Sequence, residues 1–269
     1  MTQQTISVVI HSYNHGRYIE ACLDSIYYQD YECIEMILVE DGSTDNSCEV
    51  IERWLKSLDS EMVSFGAYYN SETGLLERRR HKRYNREGRF IKFLNNKRNM
   101  GSTWTYNRGL RHATGKYCTF VAADDVCHPQ LFSTLVRPLE EGVADFVFAD
   151  MFIIDDHGRI LREFRLPDYD FKSCFCDWYL CGVATLYRME LHERFGWYDE
   201  TALADDHECY LRFAMGGARF FHIPKTLYSV RSHDYRKVDL HDNVRFSALI
   251  DFSKELTLKA RTWMKNNVN

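Results

Sequence analysis

Ile34-Glu35-Met36-Ile37-Leu38-Val39 runs without a break into Glu40-Asp41-Gly42-Ser43-Thr44-Asp45. The apolar half reads as a β-strand buried on both faces, as in a parallel sheet. The polar half then marks the carboxyl end of that strand, where open α/β sheets place their ligands. The flanks repeat the pattern. Upstream, Ile6-Ser7-Val8-Val9-Ile10 is a second doubly buried strand, and Arg17 to Tyr28 carries Ile19, Cys22, Leu23 and Ile26 at helical spacing. Downstream, Asn46 to Leu58 sets Val50, Ile51, Trp54, Leu55 and Leu58 on one helix face. Strand, helix, strand, helix with short connections predicts an α/β fold.

Further along, Met62 to Tyr69 reads as a third strand. A basic segment follows from Arg78 to Arg98, with Arg79, Arg80, Lys82, Arg83, Arg86, Arg89, Lys92 and Lys97 between. Its composition suits a solvated loop, a diphosphate clamp or an anionic surface contact. Ser102 to His112 is predicted helical. Tyr117 to Ala122 is a fourth buried strand that ends in Asp124-Asp125. A helix follows from Pro129 to about Glu141, proline being well tolerated in a first turn. Asp145 to Phe152 is a fifth strand, and Asp156-His157-Gly158-Arg159 a hairpin turn before Ile160 to Phe164. Asp206 to Ala214 is helical and stops at Gly216-Gly217. Arg219 to Val230 reads as one or two short strands interrupted by Pro224, and Val244 to Met264 as a helix bearing Lys254, Lys259, Arg261 and Lys265. With no linker or repeat between them, the chain divides into a domain at 1–238 and a C-terminal helical extension at 239–269. Packing on the domain, homodimerisation and lying on an anionic membrane are the three roles open to that helix.

Lys and Arg total 34 against 39 Asp and Glu, a net charge of −5, which argues against a generally basic nucleic-acid binder. No apolar run approaches the roughly 18–20 residues of a membrane span. The opening Met1-Thr2-Gln3-Gln4-Thr5 lacks the features of a signal peptide, so a cytoplasmic location is expected. The nine cysteines are expected to be reduced and mostly packed. Cys174, Cys176 and Cys181 match no pair of C-x₂-C knuckles, so zinc is not expected there.

The chemistry gathers at three strand ends: His11-Ser12-Tyr13-Asn14, Glu40-Asp41-Gly42-Ser43 and Asp124-Asp125. Two acidic ends facing one crevice repel each other unless a cation or a donor-rich ligand sits between them. Hard carboxylates suit Mg²⁺ or Mn²⁺, and these ions suit a diphosphate. Taken singly, Asp41-Gly42-Ser43 also fits a turn and helix start, and Asp124-Asp125 a helix cap. Together they favour a metal–nucleotide site. The phosphate loop G-x-x-x-x-G-K-[ST], a G-x-G-x-x-G after the first strand, the G-x-S-x-G elbow and H-E-x-x-H are all missing. A receiver-type phosphoacceptor domain shares the acidic strand ends, but the length and the later Asp206 helix argue against it.

Five motifs in order carry a family resemblance: Ile6 to Asn14, Leu38 to Asp45, Asn99-Met100-Gly101-Ser102 with Asn107-Arg108-Gly109-Leu110 and Ala113 to Tyr117, Phe120 to Asp125, and Ala204 to Arg212. Over roughly residues 5–235 the chain resembles family 2 glycosyltransferases of the GT-A fold. The resemblance implies a Rossmann-like, mostly parallel sheet flanked by helices. It implies an inverting enzyme that moves sugar from a nucleotide-diphosphate donor to a saccharide or lipid-linked acceptor, in polysaccharide or glycolipid biosynthesis. It assigns His11 and Tyr13 to the base pocket, Asp41 to the nucleobase, and Asn99 and Gly101 to the donor. Asp124 goes near the ribose and diphosphate, and Asp125 to a divalent ion (Mn²⁺ or Mg²⁺), with His233 at a position that often faces the metal. Asp206 becomes the base that takes the acceptor proton. Asp205 or Glu208 could substitute as that base, though Asp205 lies about 100° away around the helix, so it and Asp206 are not expected to point at the same atom. The chain departs from the family at Ala122 and Ala123, where a third acidic residue is common, and at His11, where Pro or Thr is usual. Ala122-Ala123 also motivates a second reading, a domain of this fold that binds nucleotide sugar without turning it over.

Overall fold

The computed structural model describes residues 3–58, 64–81, 88–232 and 243–267. Four parallel strands form one half of a mixed sheet: β5 (Arg89–Asn95), β2 (Ile34–Glu40), β1 (Ile6–Ser12) and β6 (Tyr117–Ala122), in that spatial order. The order continues through β10 (Thr185–Arg188), β8 (Phe146–Ile154), β11 (Phe220–Arg231) and β7 (Val126–Cys127). β10 is antiparallel to both β6 and β8, β11 is parallel to β8, and β9 (Ile160–Phe164) pairs with β8 as a hairpin. β1 and β2 are buried along nearly their whole length, as their apolar runs require.

The helices α1 (Ile19–Tyr27), α2 (Ser47–Ser57), α3 (Ser102–Leu110), α4 (Leu131–Glu140) and α6 (Asp205–Met215) follow the expected order, and α5 (Glu190–Phe195) is an additional short helix that the sequence reading did not place. α3 packs on β1 and β2, and α4 on β8 and β10. Gly109 brings α3 close: a Cβ there would lie 2.3 Å from Val9 Cγ1. Glu35, a buried carboxylate near the start of β2, is matched rather than stranded. Its Oε2 accepts from Ser7 Oγ (2.5 Å) and from the Thr114 amide (2.8 Å), while Gly115 N donates to Ser7 Oγ (2.8 Å).

Three expectations need correction. The third predicted strand is β3 (Ser64–Asn70), but it forms a separate hairpin with β4 (Leu75–His81) instead of joining the main sheet. The basic segment is not a plain loop: β4 and β5 lie in it, and β5 takes the edge beside β2. Met62, Lys82, Arg83 and Arg86 lie outside the described residues. Pro224 does not interrupt β11. The strand runs through it with register shifts around Thr226, a bulge that removes the proline from the ladder.

The extension forms α7 (Asn243–Asn267) and packs on α6 and on a π-helical turn (Lys172–Asp177). Leu256 and Ala260 are buried there, Arg261 Nε donates to the Cys176 carbonyl (2.7 Å), and the Trp263 and Phe171 rings meet at 4.8 Å. Among the described residues, no helix is long and apolar enough to cross a membrane.

Candidate active site

Register places the acidic strand ends side by side. Ser12 pairs with Glu40 and His11 with Ala122, so Asp41, Tyr13 and Asp124 leave the sheet at the same edge, on strands about 4.8 Å apart. Asp41 N donates to Ser12 O (2.8 Å) and Ala123 N to His11 O (3.0 Å), which carries the alignment past the last strand residues. The His11 ring faces both carboxylates. Burial, and secondarily His15, lower its pKa to about 4, while Asp41 and Asp124 pull it back up. It is therefore neutral at pH 7, and at 4.0 Å from Asp41 its Nε2 is beyond hydrogen-bond reach.

Asp41 is buried and occupied. Its Oδ1 accepts from Asn96 Nδ2 (2.6 Å) and Met100 N (2.9 Å), and its Oδ2 from Gly101 N (2.9 Å). The carboxylate thus holds the 96–101 loop, which presents Asn99, Lys97 and Arg98 to solvent. Gly42 makes the docking possible. Its φ is +70°, and a Cβ would stand 2.5 Å from the Arg98 carbonyl carbon. Glu40 caps the same turn by accepting from Gly42 N (2.9 Å) and Ser43 N (2.8 Å). Asn14, with a left-handed φ of 55°, ties the first strand end to the second by accepting from Thr44 N (2.8 Å). Tyr13 stands half-buried beside it.

The Asp124-Asp125 pair is clasped by β11. Asp125 Oδ2 accepts from the Tyr228 hydroxyl (3.0 Å) and its Oδ1 from Arg231 N (2.9 Å). The Arg231 guanidinium donates to the carbonyls of Asp124 (2.9 Å) and Asp155 (2.9 Å) and lies 4.8 Å from the Tyr18 ring centroid. Sequence reasoning missed Tyr228 and Arg231. The available signal was a charged residue closing an apolar strand just before Ser232 and His233. His233 itself lies outside the described residues. Among the described residues no group of three or more His, Cys, Asp or Glu side chains could hold a metal ion. The donor set fits a hard cation that shares its ligands with a diphosphate, since Mg²⁺-type sites commonly use one or two carboxylates plus substrate phosphates. It does not fit an all-protein cage.

Asp205 and Asp206 open α6. Thr103 Oγ1 donates to Asp205 Oδ2 (2.6 Å), and Asp206 N to Asp205 Oδ1 (2.9 Å). Burial raises the Asp205 carboxyl above its ordinary value, and these donors offset part of that rise. Burial first, and the neighbouring Asp205 charge second, push the Asp206 carboxyl well above the usual carboxylate range. α3 links the two acidic groups: Gly101 N holds Asp41, and Thr103 two residues later holds Asp205. Both aspartates of α6 line a cavity of about 610 Å³ whose other walls are the 177–179 segment and α7. Asp41, Asp124 and Asp125 do not line that cavity.

Residues 7–65 and 77–196 match the family model of Glycosyl transferase family 2. The chain belongs to glycosyl transferase family 2. Among curated members similar to this family 2 chain is glycosyltransferase GlyG of Streptococcus pneumoniae serotype 4, 29% identical over 153 residues, which are 57% of this chain and 41% of GlyG. GlyA of the same organism is 25% identical over 277 residues, 97% of this chain and 35% of GlyA. The family 2 chain thus spans well under half the length of these two relatives. Among solved structures, Staphylococcus aureus TarS superposes with a TM-score of 0.63 at 18% identity over 84% of this chain and 60% of TarS. The mannosyltransferase PcManGT from Pyrobaculum calidifontis, solved with GDP-Man and Mn²⁺, gives 0.60 at 16% identity over 100% of this chain and 77% of its own. The shared fold is the GT-A arrangement of a curled, mostly parallel sheet between helices.

Proposed function

We propose that this family 2 chain is an inverting glycosyltransferase that moves a sugar from a nucleotide-diphosphate donor to an acceptor hydroxyl in glycan or glycolipid synthesis. The observation that carries the reading is Asp206, a half-buried carboxyl at a cavity wall, its pKa pushed up by desolvation and by Asp205, linked through Asp205, Thr103 and Gly101 to the strand-end crevice. A base of raised pKa is strong once ionised, which suits removal of a proton from a sugar hydroxyl. The donor lies across the ends of β1, β2 and β6, its base by His11 and Tyr13 and its diphosphate towards Asp124. The 96–101 loop, held by Asp41, places Asn99 and Gly101 beside it. Asp206 accepts the acceptor proton, the acceptor oxygen forms the new bond to the anomeric carbon from the face opposite the diphosphate, and the bond to the phosphate oxygen breaks with its electron pair. Asp125, with Asp124 adjacent and His233 as a proposed further ligand, would hold a divalent cation, which would supply positive charge at the departing diphosphate. PcManGT holds Mn²⁺ alongside GDP-Man, and TarS has been solved with UDP-GlcNAc, which supports a nucleotide-sugar donor and divalent ion here.

One observation favours a second reading, donor binding without turnover: both oxygens of Asp125 already accept protein hydrogen bonds. Release of nucleoside diphosphate from UDP- and GDP-sugars with Mn²⁺ separates the two. Turnover that falls about 10²–10⁴-fold in Asp206→Asn, with donor affinity retained, supports transfer through this base. Donor binding with no release in the parent chain would leave the binding reading, and full turnover in the variant would remove Asp206 from the mechanism.

A further inference from the structure

The cavity against Asp206 is walled on one side by α7, which, like α6, lies beyond the residues matched to the family model. Its character is divided. Leu249 and Leu258 of α7 and the exposed Trp178 make an apolar wall. Close to Asp206 stand polar groups with nothing to bond. The Tyr179 hydroxyl and both ring nitrogens of His207 are buried and without a hydrogen-bond partner. His207 is only 2% exposed, and its ring stacks on Tyr179 at 4.7 Å and 15°. Burial lowers the His207 pKa to about 4, so the ring is neutral at pH 7, with one donor and one acceptor nitrogen. Buried polar atoms left unmatched are costly, and a ligand hydroxyl is the group that satisfies a phenol and a neutral imidazole together. At about 610 Å³ the space lies within the ~300–1,000 Å³ of pockets that enclose drug-sized ligands, and it exceeds what one sugar ring fills.

We infer that this cavity is the acceptor subsite and that the acceptor is a glycoside with an apolar aglycone. Its sugar hydroxyls meet Tyr179 and His207 beside Asp206, and its aglycone lies on Leu249 and Leu258 of α7. This inference rests on the transferase reading above and adds the class of acceptor. The terminal helix is then a specificity element of the acceptor side. A free or purely polar saccharide would leave the α7 wall wet and unused, whereas an alkyl aglycone covers it.

The test measures nucleoside diphosphate release with Mn²⁺ from UDP- and GDP-sugars, using octyl glycosides and the matching methyl glycosides as acceptors. At least one octyl glycoside is expected to give a kcat/KM ten-fold or more above its methyl counterpart. Leu258→Asp, at a position 59% exposed and so tolerant of change, should collapse that preference towards one. Tyr179→Phe should lower kcat/KM for both glycosides alike and leave their ratio unchanged. Equal use of octyl and methyl glycosides, or a preference untouched by Leu258→Asp, overturns the inference while leaving donor turnover by the parent intact. If the parent releases no nucleoside diphosphate from any donor, with or without acceptor, the transferase reading fails and this inference falls with it.

Discussion

Asp205 and Asp206 are adjacent carboxyls with unequal surroundings, and that inequality sets the chemistry of α6. Burial raises the carboxyl pKa of both, but at Asp205 the Thr103 hydroxyl and the Asp206 amide offset part of that rise, so Asp205 ionises first, while Asp206 is left with burial and a neighbouring anion. In Asp205→Asn the second of the two forces on Asp206 is gone, so its pKa falls. The acid limb of the kcat/KM profile should then move to lower pH. An unmoved limb would mean that another group reports that ionisation. The same residue makes a stability prediction with a defined sign. A carboxyl whose folded pKa is raised stabilises the fold while protonated and loses that contribution as pH rises from the unfolded value of about 3.9 through the folded one. Asp206→Asn should therefore melt above the parent at pH 8, with the gap closing as the pH falls towards 4. Thermal melts across that range check it, and a variant less stable than the parent at pH 8 would show that the carboxylate makes contacts worth more than its burial costs.

The elements around the strand-end crevice are joined by loops rather than by their own length, and Gly42 is one close joint. A side chain there must adopt a left-handed φ of +70° and stand 2.5 Å from the Arg98 carbonyl carbon, so the 96–101 loop has to move. Gly42→Ala should cost about 1–3 kcal/mol of stability by urea denaturation. It should also raise the donor KM, because Asp41 loses its hold on Met100 and Gly101. A variant with the parent's donor KM would separate the loop from donor binding. This joint also shows what the sequence made legible. Asp41, His11 and Asp124 were readable as strand ends because β1, β2 and β6 are continuous apolar runs, and parallel register then fixes the rest. That Asp41 would turn inward on three donors 55 to 60 residues away was not readable, since only tertiary contact reveals it. β5 escaped notice for a related reason. Arg89-Phe90-Ile91-Lys92 sits at a half-exposed sheet edge, where charge is tolerated and the apolar run is diluted. β3 misled in the opposite direction, because an apolar, aromatic run does not say which partner it will pair with. Tyr228 and Arg231 reach Asp125 only because β11 passes through the Pro224 bulge without ending.

At the scale of the molecule, the sheet joins a parallel half that carries the crevice at Asp41 and Asp124 to a mixed half that carries α6, and the junction is β10 between β6 and β8. An aromatic cluster fastens the mixed half. The Phe146 ring lies 5.2 Å from Tyr187 on β10, 4.6 Å from Tyr210 on α6 and 4.4 Å from Phe220 on β11. The Tyr187, Tyr198 and Tyr210 hydroxyls then bond among themselves, with Tyr187 to Tyr198 at 3.2 Å and Tyr198 to Tyr210 at 3.4 Å, and Tyr198 N donates to Asn107 Oδ1 on α3 (3.1 Å). The cluster therefore supports the helix that carries Asp206 on one side and α3 on the other. Phe146→Ala leaves a cavity at its centre and should cost about 3–5 kcal/mol. Because the backbone ladder and the α3 contact cross the junction, the loss should be felt by the donor half as well. Urea denaturation followed at Trp54, on α2 in the parallel half, and by far-ultraviolet circular dichroism for the whole chain should fall together to a lower midpoint, with the other four tryptophans replaced by phenylalanine in parent and variant alike. A Trp54 transition that keeps its parental midpoint while the circular dichroism shifts would show two halves unfolding independently, and would break the mechanical link proposed between the donor crevice and the base.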